Sequence, residues 1–300
     1  MNLIIIDLNE RYITIKNNQL QIRNMFKTKN NGPIINGIRG DEFKNFIQSI
    51  LKRGKIRQNI IDLITDDEGM ELFDIAFKHK TADEVNNYEF LEFLGDSMVN
   101  TAIVWYLNRR FPKLRGAQGV AIFARLKINL ISKKSFSDFA IKMDMWKFVS
   151  ACEDVKNTKM KKTLEDVFEA LFGAIAHLME MKVREGTGYS VVSTIISSLF
   201  DEIEISLKYE DLFDAKTRLK ELFDFHKTIG KFEYKATREE GGLQTVNVLL
   251  KEPNGNTIII GQGKAMIKTD AEQIAAKMAI YTMNNRGITK EVSEEYRNLT

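Results

Sequence analysis

The stretch NNYEFLEFLGDSM, residues 86–98, places two carboxylates inside an otherwise apolar run. Glu92 and Asp96 are four residues apart, and Gly95 lies beside the second acid. Apolar residues at three- and four-residue spacing predict a helix over 88–110. Residues four apart project from the same side of a helix, so these two acids lie close enough to share a cation.

A second stretch, LEDVFEALFGAI at residues 164–175, repeats this arrangement in another predicted helix. Glu169 has an acid three or four residues before it, and spacing leaves open whether Asp166 or Glu165 is its partner. Buried acids without partners are costly, so inward-facing carboxylates need cations or a bound metal. For either pair alone, the commoner explanation is a solvated acid on an amphipathic helix. Spacing therefore supports only a candidate divalent-metal site.

Composition narrows the kind of metal and the class of protein. The 300-residue chain has one cysteine, Cys152, and three histidines. These numbers exclude an intramolecular disulfide framework and argue against a zinc site, so a metal would be bound by oxygen, as Mg²⁺ prefers. No apolar run approaches the ~20 residues that cross a bilayer, so we expect no membrane partner. The net charge of +3 neither requires nor excludes a nucleic-acid partner.

A single cysteine also suits a reducing compartment. We therefore expect a cytoplasmic protein. The composition is rich in Asn, Ile and Lys, as in proteins from AT-rich genomes, and a large DNA virus would fit this style. For a viral protein the expected location is the host cytoplasm.

The chain divides by pattern into four parts. Residues 1–40 contain a short β-like run, Tyr12–Ile15, and are predicted to form a poorly ordered arm. Residues 41–208 are predicted to form an all-α domain, with helices over 41–51, 88–110 and 164–181 and a helix pair over 129–143. Residues 212–286 predict an α-β-β-β-α unit, with helices over 215–225 and 270–284 and strands over 231–237, 245–250 and 257–261. Residues 287–300 are a C-terminal tail.

The two acidic stretches, in this order, resemble the two signature helices of the ribonuclease III family. The sequence HKTAD, residues 79–83, just ahead of the first stretch also fits that family. The resemblance covers about residues 41–286. It implies an all-α ribonuclease III catalytic domain over 41–208, followed by a double-stranded-RNA-binding domain over 212–286.

This resemblance implies a chemistry as well as a fold. The catalytic and metal-binding residues would be Glu92, Asp96, Asp166 and Glu169, which resolves the ambiguity in favour of Asp166 over Glu165. They would bind Mg²⁺, for which Mn²⁺ could substitute, with no small-molecule cofactor. The reaction would hydrolyse both strands of double-stranded RNA and leave 5′ phosphates and short 3′ overhangs.

The family resemblance also implies a homodimer. Phe93 would be the aromatic side chain that inserts into the partner subunit, although an ordinary core phenylalanine is the simpler interpretation. Glu89 matches a family acid that orients waters or RNA, and its alternative is an exposed helix residue. Phe90 stands where the family usually has arginine, and Gln118-Gly119 where it usually has Glu-Gly. These departures bear on substrate preference rather than on the chemistry.

RNA contacts in the C-terminal unit are implied at four positions, namely Thr217, Lys220, Glu221 and Lys268. Lys268 would begin the last helix, and a helix N-terminus already favours phosphate. The chain departs from the family in three places. The family usually has glutamine where Lys220 stands and consecutive lysines where Lys268-Thr269 stands. The loop over residues 238–246 is also shorter than usual. From Asp214 to Arg286 there are twelve basic and nine acidic side chains, which predicts weak, salt-sensitive RNA binding. The alternative is a degenerate unit kept for protein contacts.

Two other functions compete with RNA cleavage. One is a non-cleaving double-stranded-RNA-binding protein, either structural or a silencing suppressor. The other is a nuclease for structured DNA. The complete set of four carboxylates favours the enzyme over a pure binder, because a binder does not need them.

Overall fold

The computed structural model describes residues 32–117, 119–131 and 133–291. The predicted run at Tyr12–Ile15, the side chain of Gln118 and the tail from residue 292 lie outside these residues. No helix in the described part of the chain is both long enough and apolar enough to cross a membrane.

The first unit is helical, as predicted. Its helices are α1 (Asp41–Arg53), α2 (Gln58–Ile64), α3 (Asp67–Ala76), α4 (Glu89–Arg110), α5 (Gly119–Leu130), α6 (Lys133–Lys142), α7 (Glu153–Thr158), α8 (Met160–Lys182), α9 (Thr187–Phe200) and the short α10 (Tyr209–Leu212). The predicted pair over 129–143 begins too late, because Ile122 and Leu126, four residues apart, are already buried in α5.

Helix α8 lies at the centre of this unit. It is apolar on every side over most of its length, and such a helix must be buried. Leu164, Val167, Phe168, Leu171 and Phe172 are all fully enclosed. Helices α4, α9 and α6 pack around it, so Glu169 is buried beside the core while Glu165 and Asp166 are half-buried.

The end of the predicted arm is part of the helical unit, contrary to our expectation. Strand β1 (Ile34–Ile35) pairs antiparallel with β2 (Ala151–Cys152). The amide of Gly37 donates to the Ser150 hydroxyl at 3.0 Å. Residues 32–40 are therefore tied to the domain by backbone hydrogen bonds, a long-range pairing that no local pattern reveals.

The second unit has the predicted α-β-β-β-α order. Helix α11 (Ala215–Phe225) precedes strands β3 (Lys231–Arg238), β4 (Gln244–Lys251) and β5 (Thr257–Ala265), and helix α12 (Lys268–Asn285) follows them. The strands form one antiparallel sheet in the order β3-β4-β5. A β-carbon on Gly261 would overlap the carbonyl oxygen of Ala275, so this glycine allows α12 to pack directly on β5.

The second unit buries its own hydrophobic core, separate from the core around α8. The segment between the two cores contacts α5. Asn129 donates its side-chain amide to the carbonyl of Leu212 at 3.1 Å, and the Arg125 guanidinium lies 4.4 Å above the ring of Phe213.

Candidate active site on two packed helices

Two glycines set the distance between α4 and α8. A β-carbon on Gly95 would lie 2.6 Å from the carbonyl carbon of Glu169, and one on Gly173 would lie 2.8 Å from the carbonyl carbon of Leu91. The helix backbones therefore touch, which only residues without a side chain permit. This contact brings the acids of α4 next to the acids of α8.

The acids influence one another strongly at this contact. Glu169 is only 9% exposed. Burial raises its pKa to about 8, and the negative charges of Asp96 and Glu165 are the next largest causes. Burial likewise raises the pKa of Glu92 to about 7, with further contributions from Asp166 and Glu89. The site thus concentrates negative charge in a partly buried place, which favours protonation or a bound cation.

Tyr88 and Asn100 donate hydrogen bonds to the other two acids, Asp166 and Asp96. The hydroxyl of Tyr88 donates to Oδ2 of Asp166 at 3.0 Å. Burial raises the pKa of Tyr88 well above its ordinary value, and Asp166 adds to this effect, so the hydroxyl stays protonated. On α4, the amide of Asn100 donates to Oδ1 of Asp96 at 2.6 Å, and Asp96 itself is exposed.

The four carboxylates share one region but do not converge on a single point. Among residues 32–117, 119–131 and 133–291, no three His, Cys, Asp or Glu side chains stand close enough together to hold a metal ion. Their chemistry is nevertheless that of an oxygen-ligand site, because no histidine or cysteine belongs to it.

Comparisons with known proteins bear on this pair of helices. Residues 89–177, which span α4 through most of α8, match the family model for the ribonuclease III domain. A putative ribonuclease 3 of Invertebrate iridescent virus 6 is 37% identical over 276 residues, covering 87% of this chain and 94% of that protein. The chain belongs to the ribonuclease III family. The assignment establishes it as a ribonuclease of that family and confirms the resemblance of the two acidic stretches.

Other relatives come from viruses and bacteria. A putative ribonuclease 3 of Frog virus 3 is 34% identical over 227 residues. The match covers 75% of this chain and 59% of that longer protein. Ribonuclease 3 of Lactobacillus acidophilus is 31% identical, covering 70% of this chain and 89% of that protein. The nuclease domain of Campylobacter jejuni ribonuclease III, a solved structure, is 21% identical with a TM-score of 0.41 and covers 56% of this chain and all of that domain.

The ribonuclease III residues predicted beside the acids lie on the surface. Glu89 forms an ion pair with Lys80 at 2.9 Å. Phe93 is 74% exposed, so its interpretation as a core phenylalanine is wrong. Phe90, at the position where the family usually has arginine, is 66% exposed. Two large aromatic side chains are thus presented to solvent on one helix.

Three of the four residues predicted to bind RNA in the second unit lie near the N-terminus of a helix or on its exposed face. Lys268 is the first residue of α12 and is well exposed, with Glu272 3.7 Å from its ammonium group. Thr217 lies in the first turn of α11, where its hydroxyl donates to Asp214 at 2.7 Å. Lys220 is exposed on the same helix.

Glu221, in contrast, is engaged within the protein. It accepts a hydrogen bond from the Tyr209 hydroxyl and pairs with Lys290 at 2.8 Å. Lys290 and Tyr209 hold the pKa of Glu221 below its ordinary value against the opposing effect of burial. Both contacts are made by Oε2, and they hold the carboxylate against the protein.

Sequence reasoning missed Tyr88 and Asn100, which donate hydrogen bonds to Asp166 and Asp96. Asn100 follows Asp96 by four residues, a helical spacing that could have revealed it. Tyr88 bonds to a residue 78 positions away. Nothing in the local sequence indicates that partner.

Proposed function

We propose that this chain is a Mg²⁺-dependent endoribonuclease that cleaves both strands of double-stranded RNA, leaving 5′ phosphates and short 3′ overhangs. The observation that carries the proposal is the buried Glu169, whose pKa is raised by burial and by the negative charges of acids on both helices. The four charges that act most strongly on it are all negative. Such a concentration of buried acids either stays partly protonated or binds a cation that compensates its charge.

The donor set fits a divalent cation bound by oxygen. The residues that would hold it are Glu92, Asp96, Asp166 and Glu169. Bound Mg²⁺ would supply a more acidic water and would stabilise negative charge on the leaving 3′ oxygen. At least one carboxylate would have to rotate, since the four do not yet converge. Asp96 is exposed, so its carboxylate could turn once the hydrogen bond from Asn100 is broken.

The protein's own residues prepare this region in two ways. Burial raises the pKa of Glu92 to about 7 and that of Glu169 to about 8, so at pH 7 Glu92 is about half protonated and Glu169 mostly protonated until a cation compensates their charge. Tyr88 and Asn100 restrict the carboxylates of Asp166 and Asp96 through hydrogen bonds. Neither a histidine base nor a protein nucleophile is needed, because water is the attacking group.

The active form would be a homodimer in which each site cuts one strand. Exposed large aromatic residues are typical of an interaction surface. Phe93, 74% exposed, and Phe90, 66% exposed, lie on the helix that carries Glu92 and Asp96. An interface at Phe93 would therefore adjoin both metal sites.

Residues 41–208 would be the catalytic domain and residues 212–286 a double-stranded-RNA-binding domain. The α-β-β-β-α order supports this division, as does Lys268 at the N-terminus of α12. Double-stranded-RNA-binding domains read the shape of the duplex through 2′-hydroxyls and phosphates. Thr217, Lys220 and Glu221 on α11 would make further contacts, with Glu221 held by Tyr209 and Lys290 through Oε2.

One experiment tests the proposal directly. The full chain is incubated with long double-stranded RNA and Mg²⁺, and both ends of each product are mapped. We expect short duplexes with 5′ phosphates and 3′ overhangs, no cleavage in EDTA, and at least ~100-fold slower cleavage by Asp166→Asn. Bound but intact RNA would show a non-cleaving binder instead. Equal degradation of duplex DNA would contradict the RNA specificity.

A further inference from the structure

Tyr88 lies where the two acid-bearing helices begin to meet, and its side chain is 1% exposed. Its carbonyl accepts a hydrogen bond from the amide of Glu92 at 2.8 Å, in the first turn of α4. Its hydroxyl crosses to α8 and donates to Oδ2 of Asp166 at 3.0 Å. One residue is thus bonded to an acid-bearing position on each helix.

This hydroxyl restricts the orientation of Asp166. The terminal torsion of an aspartate is broad, so its carboxylate turns easily unless a neighbour holds it. A buried donor fixed by its own backbone supplies that restraint. The amide of Tyr88 donates to the carbonyl of Lys78 at 3.0 Å, which anchors the residue from the other side.

The HKTAD sequence, residues 79–83, supports the ring of Tyr88. His79 packs edge-on against it, with ring centroids 5.6 Å apart and an interplanar angle of 76°. The backbone amide of Thr81 donates to Nδ1 of His79 at 3.1 Å. Because an amide N–H can only donate, Nδ1 accepts, and the proton of the neutral ring lies on Nε2.

The same threonine ties His79 to the rest of the domain. Its hydroxyl lies 2.8 Å from Nδ1 of His79 and accepts a hydrogen bond from the amide of Cys152 at 3.0 Å. The amide of His79 donates to the carbonyl of Ser150 at 2.9 Å. His79 is therefore fixed on the segment leading into β2, and it in turn limits the movement of Tyr88.

We propose that Tyr88 is a positioning residue for RNA cleavage, whose hydroxyl holds Asp166 in the orientation that binds the divalent cation, with His79 and Thr81 as its support. The inference rests on the proposed function, since it requires Asp166 to be a metal ligand. Residues that orient metal ligands are worth roughly 10–100-fold in metal affinity or activity.

The test compares Tyr88→Phe with a matched variant, Tyr106→Phe. Both tyrosines are associated with α4, both are buried, and both donate a hydroxyl to an aspartate. Tyr106 is 4% exposed and its hydroxyl lies 3.1 Å from Asp201. It follows Tyr88 by 18 residues, which is about 27 Å along a helix. Comparing the two variants therefore distinguishes the general effect of removing a buried tyrosine hydroxyl from the specific effect of removing the hydroxyl that contacts Asp166.

The first readout needs no RNA. Mn²⁺ binding to the full chain is measured by titration calorimetry, and we expect Tyr88→Phe to weaken it by about 10-fold or more, while Tyr106→Phe matches the wild type. The second readout is kinetic. In Tyr88→Phe, kcat at fixed Mg²⁺ should fall about 10–100-fold with KM for duplex RNA little changed, and added Mg²⁺ should restore part of the rate.

A third variant, Asp166→Asn, separates failure of this inference from failure of the proposed function. If Asp166→Asn binds Mn²⁺ and cleaves RNA as the wild type does, the proposed function is wrong at this residue and the positioning role falls with it. If Asp166→Asn loses both and Tyr88→Phe behaves like Tyr106→Phe, only the positioning role is overturned. A Tyr88→Phe protein that does not fold would also overturn it, because the hydroxyl would then serve the fold.

Discussion

Gly95 on α4 and Gly173 on α8 face each other backbone to backbone. A β-carbon on Gly95 would lie 2.9 Å from the amide nitrogen of Gly173, and one on Gly173 would lie 3.1 Å from the amide nitrogen of Gly95. Both distances are below normal contact, so the two helices pack as closely as their backbones allow. The spacing of the four acids depends directly on this contact.

Gly173→Ala should therefore disrupt both the fold and the site. Its β-carbon would overlap the carbonyl oxygen of Leu91, and a backbone cannot yield as a flexible side chain does. We expect a loss of about 3 kcal/mol or more in the free energy of unfolding, measured by urea denaturation. Gly116→Ala is the control, because a β-carbon there meets nothing within 4 Å and should change stability by less than about 0.5 kcal/mol. Equal effects at the two positions would contradict close packing at Gly173.

Glu169→Gln should reduce cleavage of duplex RNA by at least ~100-fold and leave RNA binding and stability near pH 7 unchanged. The amide keeps the volume of the side chain but cannot carry the charge that a cation needs. Glu165→Gln is the matched control on the same helix, and it should remain active because Glu165 is not among the proposed ligands. Cleavage assays and gel-shift binding check both variants. If Glu165→Gln lost activity and Asp166→Asn kept it, the metal ligand would be Glu165 rather than Asp166.

Phe93→Ala should weaken self-association. A large aromatic side chain at the centre of an interface contributes about 2 kcal/mol or more, or roughly 30-fold in Kd. Phe225→Ala is the control, because Phe225 is 65% exposed but lies in the other unit, on α11. Sedimentation over a range of concentrations should show dissociation for Phe93→Ala only. An unchanged dimer would place the interface elsewhere.

Lys268→Ala should weaken binding of duplex RNA and lower the slope of log affinity against log salt by about one. Lys277→Ala removes a charge from an exposed position nine residues further along α12 and should leave the slope unchanged. Both are measured in a Glu169→Gln background, so that the RNA stays intact. The same slope in both variants would mean that Lys268 does not contact phosphate.

His79 should make the protein less stable in mild acid. Burial, aided by Lys80 and Lys159, lowers the pKa of His79 from 6.5 to about 4. Between these values the unfolded chain binds a proton that the folded chain does not, so stability falls as pH falls from about 6.5 towards 4. At pH 5 the loss is about 2 kcal/mol.

A comparison with His79→Asn isolates this effect. Asparagine keeps an acceptor near the position of Nδ1 but does not titrate. Other groups with shifted pKa values, Glu92 and Glu169 among them, are common to both proteins. Urea denaturation at pH 7.5 and pH 5.0 should show the additional loss only with His79 present. If the free energy of unfolding fell by the same amount in both proteins between pH 7.5 and pH 5.0, His79 would not be held neutral in the folded state.

The sequence alone determined which helices carry the four proposed ligands and the order of the helices and strands around them. The spacing of Glu92 and Asp96 is a property of one helix, and so is that of Asp166 and Glu169. The order of helix and strands in residues 215–285 also follows from local periodicity and turn residues. Such features depend on interactions between residues a few positions apart, which a linear pattern records.

Only the tertiary structure decided how these elements meet. The contact of Gly95 with Gly173, the hydrogen bond of Tyr88 to Asp166 and the pairing of Ile34–Ile35 with Ala151–Cys152 each join residues far apart in the chain. The exposure of Phe93 and the engagement of Glu221 by Tyr209 and Lys290 are likewise invisible in the sequence. Each depends on packing between distant segments, because burial and hydrogen-bond partners are set by what the fold brings alongside a residue rather than by its neighbours in the chain.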